Sequence, residues 1–316
     1  MTGIGKKGAA SFVGGDWGTS QLRLFLCDAE GAVLDSRTGP GAADAGGNFS
    51  DVFQSLAARW EDSLGPLPVV LCGMVGSSIG WLQAPYVACP TMPERIADAC
   101  VTLRGGVVHI VPGLSCRNRF DAPDFLRGEE TQILGALQLA PELRRGRWLL
   151  CLPGTHTKWV ALEDGSVREF LTAPTGELFA VLRDHSVLVH KHERVGTRTD
   201  AETFKEGLAQ FNAFPHVQLL HRLFDCRSRE LSGELGTPAA YLSGLLIASD
   251  VHGALRVLSS FSEARLVYVI GSSELTRLYA TALASHGYEA SKVEGATASR
   301  AGLAQVHRRL SQGGSA

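Results

Sequence analysis

The chain has 316 residues, of which 45% are hydrophobic and 20% are charged, and its formal net charge is −2. This length and composition predict two globular domains. The small net charge and the lack of a basic cluster argue against a nucleic-acid partner, and no apolar run approaches the roughly 20 residues of a membrane span. The seven cysteines form no C-x-x-C pair and are expected to be reduced. Because no apolar segment follows the lysines at the amino-terminal end, we expect no signal peptide and predict a soluble, cytoplasmic protein.

The first element is an apolar strand that ends in a glycine turn. Residues 12–20 have the sequence Phe-Val-Gly-Gly-Asp-Trp-Gly-Thr-Ser, and the alternating residues 21–28 are predicted to form the returning strand. Amides and hydroxyls at such a turn can hold phosphate oxygens. Asp16 would repel phosphate and therefore needs a cation between them, normally Mg²⁺. The turn thus indicates a metal–nucleotide hairpin, and an ordinary hairpin is the alternative.

A second glycine-rich turn follows a helix and a strand. The spacing of apolar residues predicts a helix over 49–64, and the wholly apolar residues 69–72 are typical of a buried strand. The turn that comes next carries glycines, hydroxyls and an aromatic ring. Gly76, Ser77 and Trp81 are therefore candidates for binding a polyol, and a plain strand-to-helix loop is the alternative.

The predicted helix 127–137 begins directly after a glycine with two acidic residues, Glu129 and Glu130. A carboxylate held at a helix start could act as base on a substrate hydroxyl. Compensation of the helix dipole is the alternative explanation. The charged, proline-containing residues 141–147 then predict the boundary between two lobes, 11–143 and 144–310.

The second lobe opens with an echo of the first. Residues 148–162 again contain an apolar strand, a Gly-Thr turn and an alternating strand, and a third strand is predicted over 167–171. Two similar β-meanders suggest a duplicated α/β fold, and phosphate-binding hairpins facing each other across an interlobe cleft would clamp a nucleoside triphosphate. The remaining predicted elements are a helix over 174–185, helical segments within 198–235, a helix over 239–248, a strand over 266–270, a helix over 275–285, a strand over 288–293 and a helix over 298–310. The turn at Gly271, between strand and helix, is where nucleotides bind in open α/β sheets.

This ordered set of turns and helices resembles the sugar-kinase/actin/Hsp70 superfamily, whose two lobes have the duplicated ribonuclease-H-like fold. Longer motifs resemble the 2-dehydro-3-deoxygalactonokinases across essentially the whole chain. These motifs are D-W-G-T-S (16–20), C-G-M-V-G-S (72–77), I-G-W (79–81), A-P-Y (84–86), R-G-E-E-T-Q (127–132), L-P-G-T-H-T-K-W-V (152–160), T-G-E-L-F-A (175–180) and Y-L-S-G-L-L-I (241–247). The resemblance implies transfer of the ATP γ-phosphate to the terminal (6-) hydroxyl of 2-dehydro-3-deoxy-D-galactonate, in D-galactonate catabolism.

The resemblance also implies roles for individual residues. Asp16 would hold Mg²⁺, and the base would be Glu129 or Glu130, with Glu129 preferred because it directly follows Gly128. The residues expected to bind ATP are Gly18, Thr19, Ser20, Gly154, Thr155, His156, Thr157, Lys158, Gly271, Ser272 and Ser273. A solvent-facing strand position is the alternative for Lys158. The substrate carboxylate needs a cationic partner, for which Arg127, Arg23 and Arg183 are candidates.

Other functions remain open from the sequence. Within the same fold, the substrate could be another sugar or sugar acid, such as 2-dehydro-3-deoxygluconate, or an amino sugar. A nucleotide-binding regulator that turns over little ATP is a further alternative. A nicotinamide-binding fold is disfavoured, because no G-x-G-x-x-G follows a strand. A homodimer is predicted for the assembly.

Overall fold

The structure is a computed structural model that describes residues 9–189, 200–235 and 237–313. The chain divides into two compact units. The first unit contains the residues up to Gly146, Glu163–Glu169 and the residues from Gly295 onward, and the second contains Arg147–Leu162 and Phe170–Glu294. Each unit is therefore discontinuous in sequence, whereas the lobes predicted at 11–143 and 144–310 are continuous and stay a prediction.

The strands agree with the prediction in most places. They are β1 (Ala10–Trp17), β2 (Gln21–Asp28), β3 (Val33–Pro40), β4 (Val69–Gly73), β5 (Tyr86–Ala88), β6 (Val101–Leu103), β7 (Val108–Ile110), β8 (Gly113–Arg117), β9 (Pro123–Leu126), β10 (Arg147–Leu152), β11 (Thr157–Glu163), β12 (Ser166–Ala173), β13 (Leu266–Gly271) and β14 (Glu289–Glu294). The strands β5, β8 and β9 form a small sheet of their own in the first unit, which the sequence did not predict.

The helices also follow the predicted order. They are α1 (Phe49–Leu64), α2 (Pro93–Asp98), α3 (Glu129–Leu139), α4 (Thr175–His185), α5 (Asp200–Ala213), α6 (Asp225–Leu231), α7 (Pro238–Val257), α8 (Ser273–Ser285) and α9 (Gly295–Gly313). Of the predicted helical segments within 198–235, residues 198 and 199 lie outside the described residues. Within the described ranges, no helix is both long and apolar enough to cross a membrane.

Two larger sheets share one strand order. The first runs β3-β2-β1-β4-β7-β6 and the second runs β12-β11-β10-β13-β14. In both sheets three consecutive strands lie side by side, and the first of the three pairs in parallel with a later strand, β1 with β4 and β10 with β13. This repeated order confirms the prediction of a duplicated α/β fold with mixed sheets. The central strands β4 and β13 are buried almost throughout, as expected where helices cover a sheet.

The helices bury the faces that their apolar spacing predicts. In α1 the buried residues are Phe49, Phe53, Ala57 and Trp60, which lie along one stripe of the helix. The helix α3 packs very closely on α9, because a methyl group at Gly135 would lie 1.8 Å from the carbonyl oxygen of Ala298. Only glycine allows this approach, so α3 is held against α9 by close backbone packing.

Candidate active site

The first glycine turn, between β1 and β2, is stabilised by hydrogen bonds from the loop that follows β3. The amide of Gly18 donates to the carbonyl oxygen of Gln21 at 2.9 Å, which closes the turn between β1 and β2. The amides of Ala42 and Ala43 donate to the carbonyl oxygens of Gly18 and Thr19, at 2.9 and 3.0 Å. Thr19 and the neighbouring Ser20 are exposed, so their hydroxyls and amides are available to a ligand.

Asp16, the predicted metal ligand, lies opposite Arg23 in the β1–β2 pair. Arg23 Nη2 donates to Asp16 Oδ2 at 2.7 Å, and the Asp16 side chain is only 15% exposed. Burial raises the pKa of this carboxyl, and the charge and hydrogen bond of Arg23 oppose the shift. The structure therefore places Arg23 beside the predicted metal ligand, although the sequence offered it as a partner for the substrate carboxylate.

Asp16 and the start of α3 meet at Gly73, the last residue of β4. A methyl group at Gly73 would lie 3.6 Å from Asp16 Oδ1, and one at Gly128 would lie 3.5 Å from the Gly73 Cα. Gly73 has φ 90°, a left-handed conformation that favours glycine. The predicted metal ligand and the helix that carries the predicted base are thus neighbours within the first unit.

The two acidic residues at the start of α3 have different surroundings. The Glu130 side chain is fully buried, and its two oxygens accept hydrogen bonds from the Gly128 amide at 2.6 Å and from Thr131 Oγ1 at 3.1 Å. Burial, with a smaller contribution from Glu129, raises the pKa of Glu130 to about 8. Glu129 is half-buried, and its Oε2 accepts from the Arg127 amide at 3.1 Å.

Of the residues predicted to bind the sugar chain, Gly76 lies against Arg127. Arg127 Nη2 donates to the carbonyl oxygen of Ala84 at 2.8 Å, and its guanidinium lies 4.4 Å from the centroid of the Tyr86 ring. A methyl group at Gly76 would lie 2.7 Å from Arg127 Nη1, so these two residues are in contact. Arg127 Nε and Nη1 are buried and make no hydrogen bond within the described ranges.

Ser77 and Trp81 serve the packing of this turn. Ser77 Oγ donates to the carbonyl oxygen of Met74 at 2.8 Å, so its hydroxyl proton is already used by the backbone. The Trp81 ring is half-buried, with centroids 6.4 Å from Trp17 and 5.9 Å from Phe53. Their predicted contact with the sugar chain stays a prediction.

The Gly-Thr turn between β10 and β11, residues 154–156, is hydrogen-bonded to the first turn of α4. The Glu177 amide donates to the carbonyl oxygen of Thr155 at 2.9 Å, and a methyl group at Gly176 would lie 2.3 Å from the carbonyl oxygen of Gly154. His156 Nε2 lies 2.7 Å from Glu177 Oε2. Gly154 is half-buried, whereas Thr155 and His156 are exposed.

The two residues after this turn point into the protein, which corrects two expectations. Thr157 is fully buried, and its Oγ1 lies 2.7 Å from Tyr279 Oη, so a direct phosphate contact by its side chain does not fit. Lys158 is only 6% exposed, and its Nζ donates to Thr172 Oγ1 at 2.9 Å. The solvent-facing alternative for Lys158 is therefore wrong.

The predicted adenosine segment lies beside this turn in the second unit. A methyl group at Gly271 would lie 3.3 to 3.5 Å from atoms of Pro153. Ser272 and Ser273 are exposed, and Ser272 Oγ accepts from the Leu275 amide at 3.3 Å as the amino-terminal cap of α8. Arg183, the third arginine considered for the substrate, is paired with its neighbour Asp184 at 2.7 Å.

The structure adds one cluster that the sequence did not indicate. Asp250, near the end of α7, accepts hydrogen bonds from Trp159 Nε1, Thr175 Oγ1 and Tyr279 Oη at 2.7, 2.7 and 2.6 Å. Its partners are 91, 75 and 29 residues away in the chain. The only signal in the sequence is the single acidic residue of a helix that is rich in apolar and small residues.

Comparison with known proteins finds similarity to one family of kinases over most of the chain. Residues 16–306 match the family model described as 2-keto-3-deoxy-galactonokinase. A relative from Rhizobium meliloti (strain 1021), assigned as a 2-dehydro-3-deoxygalactonokinase, is 37% identical, with 93% of this chain and 96% of the relative covered. The 2-dehydro-3-deoxygalactonokinase of Escherichia coli (strain K12) is 31% identical, with 94% and 97% covered. A crystal structure from Sinorhizobium meliloti, assigned the same activity, has a TM-score of 0.84 at 34% identity and covers 94% of this chain and 98% of that one.

Proposed function

Because the chain belongs to the 2-keto-3-deoxy-galactonokinase family, we propose that it transfers the γ-phosphoryl group of ATP to the terminal (6-) hydroxyl of 2-dehydro-3-deoxy-D-galactonate. The product would be 2-dehydro-3-deoxy-6-phosphogalactonate, formed in D-galactonate catabolism. The observation that best supports this proposal is the meeting of Asp16 and the start of α3 at Gly73, because phosphoryl transfer needs a metal ligand and a base close to one another. A cytoplasmic location and a homodimer stay predictions.

In this proposal the second unit holds the nucleotide. The turn of Gly154, Thr155 and His156, whose last two residues are exposed, would receive phosphate oxygens on its amides and side chains. The adenosine would bind at Gly271 and the exposed Ser272 and Ser273, next to Pro153. The contact between Gly271 and Pro153 supports this assignment, since adenosine and phosphates belong to one ligand.

The first turn would hold the metal. Mg²⁺ is usually bound by one or two carboxylates together with phosphate oxygens and water, and the Asp16 carboxylate fits this donor set. The bound ion would neutralise charge on the transferred phosphoryl group. Arg23 contacts the same carboxylate, so it would hold Asp16 in a fixed orientation. Gly18, Thr19 and Ser20 would bind phosphate oxygens beside it.

We assign the base to Glu129. A general base must come within hydrogen-bond reach of the hydroxyl that it deprotonates. Glu130 is fully buried and already accepts two hydrogen bonds from its own helix start, so it does not meet this requirement. Glu129 lies one residue closer to the glycine and is half-buried.

We assign the substrate carboxylate to Arg127. Arg23 and Arg183 are paired with aspartates, whereas the Arg127 side chain contacts no carboxylate within the described ranges. Its Nε and Nη1 nitrogens lack acceptors within the described ranges, which is costly for a charged group and would be relieved by an anion. Because these atoms are buried, an anion can reach them only after a local movement of the chain around Tyr86.

The substrate is tested by a coupled ADP-release assay with Mg²⁺-ATP. The acceptors are 2-dehydro-3-deoxy-D-galactonate, its gluconate epimer, N-acetylglucosamine, glucose, glycerol and none. We expect turnover with the galactonate-derived acid to exceed every other acceptor. Equal turnover with the gluconate epimer would refute the substrate assignment, and absence of acceptor-dependent ADP release would refute the kinase proposal in favour of a nucleotide-binding regulator.

The base is tested by two matched variants. Glu129→Gln should lower kcat by roughly 100-fold or more, the usual effect of losing a general base. Glu130→Gln is the control, because it makes the same chemical change at the next residue of the same helix, and it should keep kcat within about threefold. If Glu130→Gln caused the larger loss, the assignment would have to be reversed.

A further inference from the structure

Asp250 joins four elements of the second unit through its carboxylate. Trp159 lies on β11, Thr175 begins α4 and Tyr279 lies on α8, and each donates a hydrogen bond to Asp250 on α7. Trp159, Thr175 and Tyr279 are nearly or fully buried. Within the described ranges no lysine or arginine pairs with this carboxylate, so neutral donors alone hold it in place.

Two of these partners, Thr175 and Tyr279, lead to segments that we propose bind ATP. Tyr279 Oη donates to Asp250 and lies 2.7 Å from Thr157 Oγ1, and Thr157 directly follows the turn of residues 154–156. Thr175 begins the helix turn whose next residues contact Gly154 and Thr155. Tyr279 also lies on α8, which begins at Ser273, the last residue of the predicted adenosine segment.

We propose that Asp250 is a positioning residue for ATP, which fixes the turn 154–156 and the start of α8 in the geometry that binds one nucleotide. It does so without touching the nucleotide, through Thr157, Thr175 and Tyr279. The inference rests on the proposed assignment of ATP to these two segments. The residues that donate hydrogen bonds to Asp250 all belong to the second unit, so the effect should fall on ATP.

The chemistry of the cluster explains why replacing Asp250 would disrupt its hydrogen bonds. A carboxylate accepts hydrogen bonds only, which suits three converging N–H and O–H donors. Asparagine at position 250 would direct an NH₂ group toward at least one of these donors and leave it unpaired, and an unpaired buried donor is costly. The turn of residues 154–156 and α8 would then lose the hydrogen-bond acceptor that they share, while the packing of the surrounding core would be unchanged.

The test compares three variants with the wild-type protein. Asp250→Asn removes the acceptor, and Tyr279→Phe removes one donor without changing the packing. Tyr241→Phe is the matched control, since Tyr241 is another buried tyrosine of the second unit and its hydroxyl has no hydrogen-bond partner within the described ranges. Calorimetric titration with the Mg²⁺ complex of a non-hydrolysable ATP analogue gives Kd, and steady-state kinetics give KM for ATP and for the sugar acid separately.

We expect Asp250→Asn to raise the Kd of the analogue and the KM for ATP about tenfold, and Tyr279→Phe about fivefold, which by the usual conversion correspond to about 1.4 and 1 kcal/mol. The KM for the sugar acid should stay within about twofold in both variants, and Tyr241→Phe should change neither constant. If Asp250→Asn does not fold, Tyr279→Phe carries the test alone.

Two outcomes would overturn the inference, and they are distinguishable from failure of the proposed function. Unchanged analogue binding in folded Asp250→Asn and Tyr279→Phe would overturn the positioning role while the kinase assignment stands. Equal increases in KM for ATP and for the sugar acid would show a general structural effect instead. Wild-type protein that bound no analogue would refute the proposed function itself, and this inference with it.

Discussion

Replacing Glu130 with glutamine should change how the stability of the protein depends on pH. The Glu130 carboxyl has an ordinary pKa of 4.5 in the unfolded chain and a pKa of about 8 when folded. Between these values the unfolded chain releases the proton and the folded protein retains it. Stability therefore falls as pH rises from about 4.5 to about 8 and levels off above that range.

The magnitude follows from the same two pKa values. One pH unit within this range corresponds to about 1.4 kcal/mol, so the step from pH 4.5 to pH 7 lowers the stability of the wild-type protein by about 3 kcal/mol. Glutamine does not titrate, and its amide can donate to Thr131 Oγ1 while its oxygen accepts from the Gly128 amide. Glu130→Gln should therefore show none of this fall.

The assay is urea unfolding of both proteins at pH 5, 6, 7 and 8, with the difference in midpoint converted through a common m value. Every other titrating group is present in both proteins, so the difference isolates Glu130. The advantage of Glu130→Gln should grow by about 1.4 kcal/mol per pH unit up to pH 7. A difference that stayed constant across this range would refute the reasoning. In Glu129→Gln the dependence should persist, with a smaller amplitude, because the Glu129 charge contributes to the raised pKa.

Two glycines provide further predictions. Gly135→Ala should destabilise the protein by about 1 to 3 kcal/mol in urea unfolding, because its methyl group would lie 1.8 Å from the Ala298 carbonyl oxygen. Gly253→Ala on α7 is the control, since among the described residues no atom outside its own stretch of helix lies within 4 Å of its methyl group, and it should be stabilising by up to about 1 kcal/mol. Gly41→Ala should raise the KM for ATP several-fold and also lower the stability, because its methyl group would lie 2.2 Å from the Thr19 carbonyl oxygen and displace the first turn. An unchanged KM in that variant would argue against a role for the turn in nucleotide binding.

The order of strands and helices could be predicted because it depends on local patterns. The glycine turns at Gly18, Gly154 and Gly271 stand at the ends of apolar runs, and the structure places each at the end of a strand. The small sheet of β5, β8 and β9 was missed, because its strands are only three to five residues long and show little alternation.

The difference between the two acidic residues of α3 could have been predicted more sharply. Glu130 shares a helix face with Ile133, Leu134 and Leu137, which lie three, four and seven residues later and are all buried. That spacing indicates an inward position for Glu130 and a different direction for Glu129. The signal was present in the sequence, but the helix dipole explained both residues equally well without it.

The hydrogen bonds of Asp250 could not be predicted in the same way. Its partners Trp159, Thr175 and Tyr279 come from three elements that are distant in sequence, and only the folded sheet brings them together. The pairing of Arg23 with Asp16 was easier to predict than the hydrogen bonds of Asp250, since both residues belong to one hairpin. It still required the register of that hairpin, which places the two residues opposite each other.

The close packing of α3 on α9 also determines the order in which the protein can fold during synthesis. Residues of the second unit leave the ribosome before Gly295–Gly313, which belongs to the first unit. Until α9 has been made, the face of α3 that contains Gly135 has no partner, and Phe12 lacks the ring of His307 that stacks on it at 4.4 Å. The nascent first unit therefore exposes an apolar surface until α9 has been made, and it is the part of the chain on which we expect chaperones to act.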